Sequence, residues 1–423
     1  MVGLVSGSHL VNHAYLVVVA PLVVTLADEF GVGIGAVGLA LGVQQAVVVA
    51  LQLPFGHLAD RVSRALVLGV SLVVGTLGTA MTALAPDYGW LLAAQAVVGV
   101  GVAAHHPAHY PLLAAVSDAG SRGRAYSVHG FGGAVGLAVP YAVVAGVTAA
   151  GGGWRTAVGL VAVGGGVYAL LALALVRGVP SAVTRPPGAT GVAEAVTPGG
   201  PSSASPSGVV SAVLGSTFDR LGRGLDRLRG TPGILALALL AFVTSAAAWC
   251  IRTYTPQLLG SYGLAPETAT AATSGMLVVG ACSILVGGEL ADRVGAGRVI
   301  LGGYLGLVVL AAALASRVLP AALLVLALAL STTVSVSRPA RSALADRLSA
   351  RADLGKNFAL ITVGISLGGA VAPPAFGWLI DAASVELAFW VVACLGVGSL
   401  AVAGWLLSRP GQATATVAAA EGD

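Results

Sequence analysis

The charged phrase "GHLADRVSR" at residues 56–64 returns in weaker form as "GELADRVGAGR" at residues 288–298. Its charges are conspicuous because only 9% of the chain is Asp, Glu, Lys or Arg. An ordinary soluble domain is about a quarter charged. Each copy of the phrase follows a long uncharged run. A charged phrase that recurs between apolar runs indicates a duplicated structural unit.

The uncharged runs are long enough to cross a membrane. The chain has 423 residues, of which 57% are hydrophobic, and its mean hydropathy is +0.93. A hydrocarbon core of about 30 Å needs about 20 helical residues, and backbone groups in lipid must pair within the segment. We therefore predict an all-α membrane protein with twelve transmembrane helices, near residues 5–27, 34–54, 65–85, 89–115, 126–149, 156–176, 233–255, 267–287, 298–316, 319–338, 357–379 and 385–407.

The basic residues predict how the chain is oriented. With a cytoplasmic N-terminus, all of the 21 Lys and Arg residues fall on the inner side except Arg155, Arg252 and Arg317. The positive-inside rule favours this arrangement. We expect a multi-pass protein of the cell membrane with both termini in the cytoplasm. The net charge of +4 then belongs to loops that face anionic lipid, and we expect no nucleic-acid partner.

A polar segment divides the twelve spans into two sets of six. It is rich in Pro, Gly, Ser and Thr and continues into residues 209–230, where leucines and arginines alternate as in a basic amphipathic helix on a membrane surface. A solvated linker helix is the alternative. "GGAV" also occurs twice, in the fifth span of each half. We predict two pseudo-symmetric six-helix bundles at 1–179 and 232–409, a cytoplasmic linker at 180–231 and a cytoplasmic tail at 410–423.

These features resemble the major facilitator superfamily, whose signature loop G-x-L-a-D-R-x-x-R lies between spans two and three. Within it the chain resembles the fosmidomycin-resistance-type branch. "HLVNH" at 9–13 fits H-x-x-N-D except that His13 replaces the acid, and "GVGVAAHHP" at 99–107 fits G-x-G-x-x-x-H-P. Gln95 lies near the place of the superfamily's fourth-helix arginine, and Ala108 replaces an acid common in the branch. The resemblance implies a cavity lined by helices one, four, seven and ten.

The repeated loop predicts a latch that closes one side of the transporter. Its glycines let helix ends approach, and its aspartates can accept hydrogen bonds at the positive end of a helix. Its arginines can bind carbonyls, carboxylates or lipid phosphates. Simple anchoring of the arginines at the inner surface is the alternative. The predicted latch residues are Gly56, Asp60, Arg61, Arg64, Gly288, Asp292, Arg293 and Arg298.

Histidines are the main candidates for the transport chemistry, because no Asp or Glu lies deep within a predicted span. Six of the 7 histidines fall in spans one, four and five. An ionisable group in a membrane indicates function, and histidine titrates near neutral pH. Packing is the alternative for each ring, above all for His129. The candidates for proton or substrate binding are His9, Asn12, His13, His105, His106, Pro107, His109, Trp249, Arg252 and Arg338.

The function these residues favour is proton-driven export of a small polar, anionic or drug-like compound, with no bound cofactor. We expect a monomer in the lipid bilayer. Uptake of a small anionic metabolite is the alternative. No G-x-x-x-x-G-K-[ST] loop and no nucleophile–base motif indicates an ATPase or an enzyme. His105 and His109 have the spacing of metal ligands, but we expect no metal site because no third ligand type is evident and Pro107 interrupts the turn.

Overall fold

The computed structural model describes residues 1–118, 122–185, 232–347 and 354–408, and all regular secondary structure in these ranges is helical. Twelve helical segments within the described residues are long and apolar enough to cross a membrane, which confirms the predicted fold class. In chain order they are α1 (Val2–Phe30), α2 (Ile34–Arg61), α3 (Arg64–Ala83), α4 (Tyr88–Ala115), α5 (Gly123–Ala149), α6 (Trp154–Val176), α7 (Pro232–Ser261), α8 (Pro266–Val294), α9 (Ala296–Ser316), α10 (Pro320–Ser342), α11 (Leu360–Ala382) and α12 (Val385–Ser408).

Two of these spans are interrupted. The α-helical parts of α1 are Val2–Leu16 and Val23–Phe30, with a short 3₁₀ segment that begins next to Pro21 between them. The α-helical parts of α5 are Arg122–Gly136 and Val139–Ala149. Proline lacks a backbone N–H and fits only the first turn of a new helix, so a prolyl residue at such a point favours a restart. The helices of α10 and α11 extend beyond their apolar spans, over Leu323–Arg347 and Leu354–Ala382.

Contacts divide the chain into two compact units. The first comprises Met1–Val18, Val43–Val143 and the described part of 152–229. The second comprises Val19–Gly42, Val144–Gly151 and the described residues from Gly230 onward. The last part of α1, the beginning of α2 and the last part of α5 therefore belong to the same unit as the second half of the chain. The predicted boundaries at 179 and 231 stay a prediction. Of the predicted linker at 180–231, residues 186–231 with the predicted amphipathic helix lie outside the described residues, as does the predicted tail at 410–423.

In the second unit, the beginning of α2 packs directly on α11. A Cβ added to Gly42 would lie 2.7 Å from the carbonyl oxygen of Ala370, so the two backbones touch there. At the start of α2 the Asp381 carboxylate accepts hydrogen bonds from the N–H groups of Ile34 (2.9 Å) and Gly35 (2.8 Å). A carboxylate is favoured at this positive end of a helix. The Gly-rich start of α2 is thus held against the end of α11 by shape and by charge.

Candidate cation and substrate site

Six histidines from three helices meet inside the first unit. The ring centroid of His9 lies 4.2 Å from those of His13 and His129 and 5.0 Å from that of His109. The structure therefore brings together all the predicted histidines of α1 and α4 and adds His129 of α5. The imidazole cluster consists of His9, His105, His109 and His129, which are buried, and His13 and His106, which are half-buried.

Glycines of α5 allow this assembly. A Cβ on Gly133 would overlap the His9 ring, and a Cβ on Gly132 would lie 3.0 Å from the carbonyl oxygen of Ser6. These two glycines belong to the "GGAV" phrase of the first half. Small residues at a membrane helix interface let the backbones approach closely. The α5 backbone consequently comes within hydrogen-bonding reach of the α1 histidines.

The hydrogen bonds of α1 fix the tautomers of His9 and His13. Nδ1 of His9 lies 2.9 Å from the carbonyl oxygen of His129, and Nδ1 of His13 lies 2.7 Å from that of Gly133. A carbonyl only accepts, so both Nδ1 atoms carry the proton and donate it. In the neutral rings both Nε2 atoms are then acceptors. These two acceptors face each other at 3.1 Å. The pair is arranged to hold a cation.

A second chain of hydrogen bonds orients the α4 histidines. The Ser8 hydroxyl donates to the Val5 carbonyl (2.8 Å), so Ser8 Oγ must accept from His105 Nε2, 3.1 Å away. His105 Nδ1 is then an acceptor, and His109 Nδ1 donates to it over 2.6 Å. In the neutral ring His109 Nε2 then carries a lone pair and is an acceptor. It is buried and has no hydrogen-bond partner among the described residues.

The cluster contains two overlapping sets of potential metal ligands among the described residues. His9, His13 and His106 form one set, and His105, His106 and His109 form the other, with the ligand atoms of each set within 4.8 Å of one another. Each set consists of histidines alone, so no third ligand type is evident in either, and the expectation of no metal site stays a prediction. The expected interruption at Pro107 is wrong, since α4 runs unbroken through it from Tyr88 to Ala115.

The polar neighbour Asn12 is buried beside the cluster. Its Nδ2 atom donates to Ser71 Oγ of α3 at 3.4 Å. Its Oδ1 atom is buried without a hydrogen-bond partner among the residues the structure describes. A buried amide oxygen of this kind can accept a hydrogen bond from a substrate. Pro107 is half-buried in α4 and supplies no backbone donor.

The candidates from the second half lie in the second unit. Trp249 is buried in α7, and the Arg252 guanidinium stacks over its indole ring with 4.6 Å from Cζ to the ring centroid. Arg252 Nε also donates to the Ala248 carbonyl at 3.1 Å. The stack places a cation and an aromatic face side by side. Arg338 of α10 is exposed.

The predicted latch residues lie at the end of α2 and the start of α3, and at the end of α8 and the start of α9. Asp60, Arg61 and Asp292 are exposed, and Arg64 is half-buried at the start of α3. In the second copy, Arg293 pairs with Glu289 on its own helix, and Arg298 donates to the Val294 carbonyl at 3.1 Å. A Cβ on Gly56 would lie 4.0 Å from Pro107 Cβ, and one on Gly288 would meet no atom within 4 Å among the described residues. The latch stays a prediction.

Several residues that orient a histidine or hold two helices together were not identified from the sequence. Ser8 orients His105, and Gly133 admits His9, but neither belongs to a motif that distinguishes it. Arg341, predicted only as an inner-side residue, is half-buried and donates to Thr244 Oγ1 of α7 at 2.7 Å. Asp381 was missed, although the spacing of glycines at 35, 38 and 42 on α2 could have indicated a helix packed there.

Twelve apolar helices and a cluster of ionisable rings on three of them are typical of a multi-pass membrane transporter. A family model supports this class: the model described as Major Facilitator Superfamily matches residues 5–220 and 237–422. The chain belongs to the Major Facilitator Superfamily, and it is a transporter rather than an enzyme. The family match does not place it in the fosmidomycin-resistance-type branch, so that finer assignment stays a prediction.

Individual similar proteins add less than the family does. The niacin transporter NiaP of Acinetobacter baylyi is 37% identical over 93 residues, which is 22% of this chain and 19% of that transporter. A bacterial homologue of the human lysosomal transporter Spinster, inward-facing and occupied, matches with a TM-score of 0.72 and 14% identity, covering 96% of each chain. A D-xylose–proton symporter matches with a TM-score of 0.71 and 18% identity, also over 96% of each chain. At these identities the structures show a common fold.

Proposed function

We propose that the protein is a secondary active transporter that works by alternating access and exchanges a proton for a small polar, anionic or drug-like compound, which it exports from the cell. The observation behind the proposal is the pair of acceptor nitrogens, Nε2 of His9 and Nε2 of His13, 3.1 Å apart in the membrane-spanning part of the fold. The role of each proposed site residue follows from this pair.

One proton suits the pair better than none or two. Without a proton, two lone pairs face each other at hydrogen-bonding distance. With one proton, the rings form a charge-assisted hydrogen bond. With two, adjacent cations repel, so the pair titrates as a unit. A movement of α1 that separates His9 from His13 therefore changes the affinity for the proton. A binding site whose affinity differs between two conformations is what coupling requires.

Export is the proposed direction because the chain resembles the fosmidomycin-resistance-type branch. The stacked Trp249 and Arg252 suit a compound with a negative charge and an apolar part, since a guanidinium binds anions and an indole binds flat apolar groups. We propose that the predicted latch residues, Asp60 above all, form the latch between the two access states. We also propose a cell-membrane location with both termini in the cytoplasm, on the basis of the basic residues.

The proposal is tested in proteoliposomes that enclose a pH-sensitive dye, with a metal chelator on both sides. When fosmidomycin enters downhill, an exchanger moves protons out, so the lumen should become alkaline. His13→Gln should lose this pH change while uptake of labelled fosmidomycin continues. His57→Gln is the matched control, because His57 lies outside the imidazole cluster and bonds the Leu53 carbonyl of its own helix. Equal pH changes in wild type and His13→Gln would contradict the role of the pair.

Proton-coupled uptake of a small anionic metabolite is the second candidate. It is favoured by the 93-residue similarity to a niacin transporter, since niacin is a carboxylic acid that is anionic at neutral pH. The same vesicles distinguish the two. A symporter carries protons in with nicotinate and acidifies the lumen, whereas an exchanger makes it alkaline. The sign of the pH change therefore decides the direction of coupling.

A further inference from the structure

We propose that His9, His13 and His106 bind a divalent transition-metal ion through their ring nitrogens. The site uses rings from the imidazole cluster, so the inference goes beyond the proposed function by naming a second kind of cation for it. It does not depend on proton coupling, because it rests on the geometry of the ligands.

The distances match those of a metal site. Zinc binds imidazole nitrogens at about 2.0–2.1 Å, so two ligands of a tetrahedral ion lie about 3.3 Å apart. Nε2 of His9 and Nε2 of His13 are 3.1 Å apart. His9, His13 and His106 each offer one ring nitrogen to the set, and these nitrogens lie within 4.8 Å of one another. No separation in the set therefore needs to shorten by more than about 1.5 Å to reach that of a tetrahedral ion.

The surrounding hydrogen bonds already orient two of the ligands. A histidine that binds a metal usually donates its other ring N–H to a carbonyl or a carboxylate, which fixes the ring and aims the lone pair. His9 and His13 both do so, through the carbonyl oxygens of His129 and Gly133. Both acceptor nitrogens are therefore held side by side, 3.1 Å apart, before any ion binds.

The other candidate set is less suited to an ion. His105 Nδ1 already accepts a hydrogen bond from His109 Nδ1, so a metal there would have to break the chain that runs to Ser8. Since both sets use His106, they also exclude each other. We therefore assign one ion per chain to the set that includes His9 and His13.

The ligand type selects the metal. Each candidate set consists of imidazoles, with no Asp, Glu or Cys among the described residues that form it. Nitrogen ligands favour zinc, nickel, cobalt and copper over magnesium and calcium, which prefer oxygen. Three protein ligands leave one position of a tetrahedral ion open. An oxygen of an anionic compound can occupy that position.

Equilibrium binding to the purified full-length chain tests the assignment. An affinity tag made of histidines is removed first, and the protein in detergent competes with a fluorescent zinc indicator. We expect one zinc ion per chain. His9→Gln, His13→Gln and His106→Gln should each weaken zinc binding by more than about 100-fold, since loss of even an outer-sphere partner costs 10–100-fold. His57→Gln should bind zinc as wild type does.

Two further measurements guard against variants that fail to fold. Cobalt added to the wild-type chain should give the visible absorption bands of a tetrahedral ion, and zinc should raise its melting temperature. The inference is overturned if wild type shows neither, if His9→Gln and His13→Gln bind zinc normally, or if only His105→Gln and His109→Gln lose it. The proton assay contains a chelator and the zinc assay involves no transport, so either proposal can fail alone.

Discussion

The close contact between α2 and α11 predicts that Gly42→Ala destabilises the protein. The new Cβ would lie 2.7 Å from the carbonyl oxygen of Ala370, whereas ordinary van der Waals contact begins at 3.4 Å. Both atoms belong to backbone or are fixed to it, so no flexible side chain can move aside. The two helices must separate locally by about 0.7 Å, the difference between those distances.

The cost of that separation follows from two opposing effects. Overpacking a close contact lowers the free energy of unfolding by about 1–3 kcal/mol. A gap of about 0.5–1 Å also removes a quarter to a half of the dispersion attraction between the two helix surfaces. Replacing glycine by alanine within a helix contributes about 1 kcal/mol in the favourable direction. Gly398→Ala on α12 has only the favourable effect, because no atom of the described residues lies within 4 Å of its Cβ position. It is the matched control.

Hydrogen–deuterium exchange and thermal unfolding in detergent measure the outcome. Gly42→Ala should melt below Gly398→Ala, by about 2–4 °C for each kcal/mol if the scaling of 150–250-residue domains applies. Amides of residues 33–42 and 370–381 should exchange faster in Gly42→Ala alone. Equal melting temperatures and equal exchange in the two variants would show that α2 and α11 do not pack as described.

Three other predictions concern coupling, gating and topology. His13→Asp introduces the acid of the fosmidomycin-resistance-type branch and should keep part of the gradient-driven accumulation that His13→Gln loses. Labelled substrate in vesicles with an imposed pH gradient measures this accumulation. No difference between the two variants would count against a proton site at this position. Asp60→Asn should slow transport far more than it weakens substrate binding, because a latch acts on the exchange between access states; a parallel fall in binding would reject the latch. Reporter fusions after residue 200 should read cytoplasmic and those after residue 152 external, and an external signal at 200 would reject the proposed topology.

The twelve helices could be predicted because lipid leaves the backbone few choices. Uncharged runs of about 20 residues must form helices there, and hydropathy alone locates them. The two breaks were less visible. Pro21 and Pro140 lie near them, but a membrane helix also tolerates proline without breaking, as α4 does at Pro107. Neighbouring helices decide which of the two occurs, and those contacts are not local in sequence.

The imidazole cluster could be predicted only in part for the same reason. Spacing on α1 and α4 puts His9 beside His13 and His105 beside His109. The contribution of α5 depends on Gly133, whose missing side chain matters only because His9 occupies that space. The tautomers, and the nearness of His106 on which the proposed metal site depends, follow from such long-range contacts and cannot be predicted from a local pattern.

The chain of hydrogen bonds through Ser8 has a consequence for how protons travel. It ends at the Val5 carbonyl, and a backbone carbonyl accepts a hydrogen bond but has no proton of its own to hand on. The Ser8 end of the cluster is therefore a dead end for proton conduction. Exchange with water must occur through His13 and His106, the two half-buried rings. Protons therefore enter and leave the imidazole cluster by the same two rings. Any group that covers His13 and His106 controls both protonation and proton release.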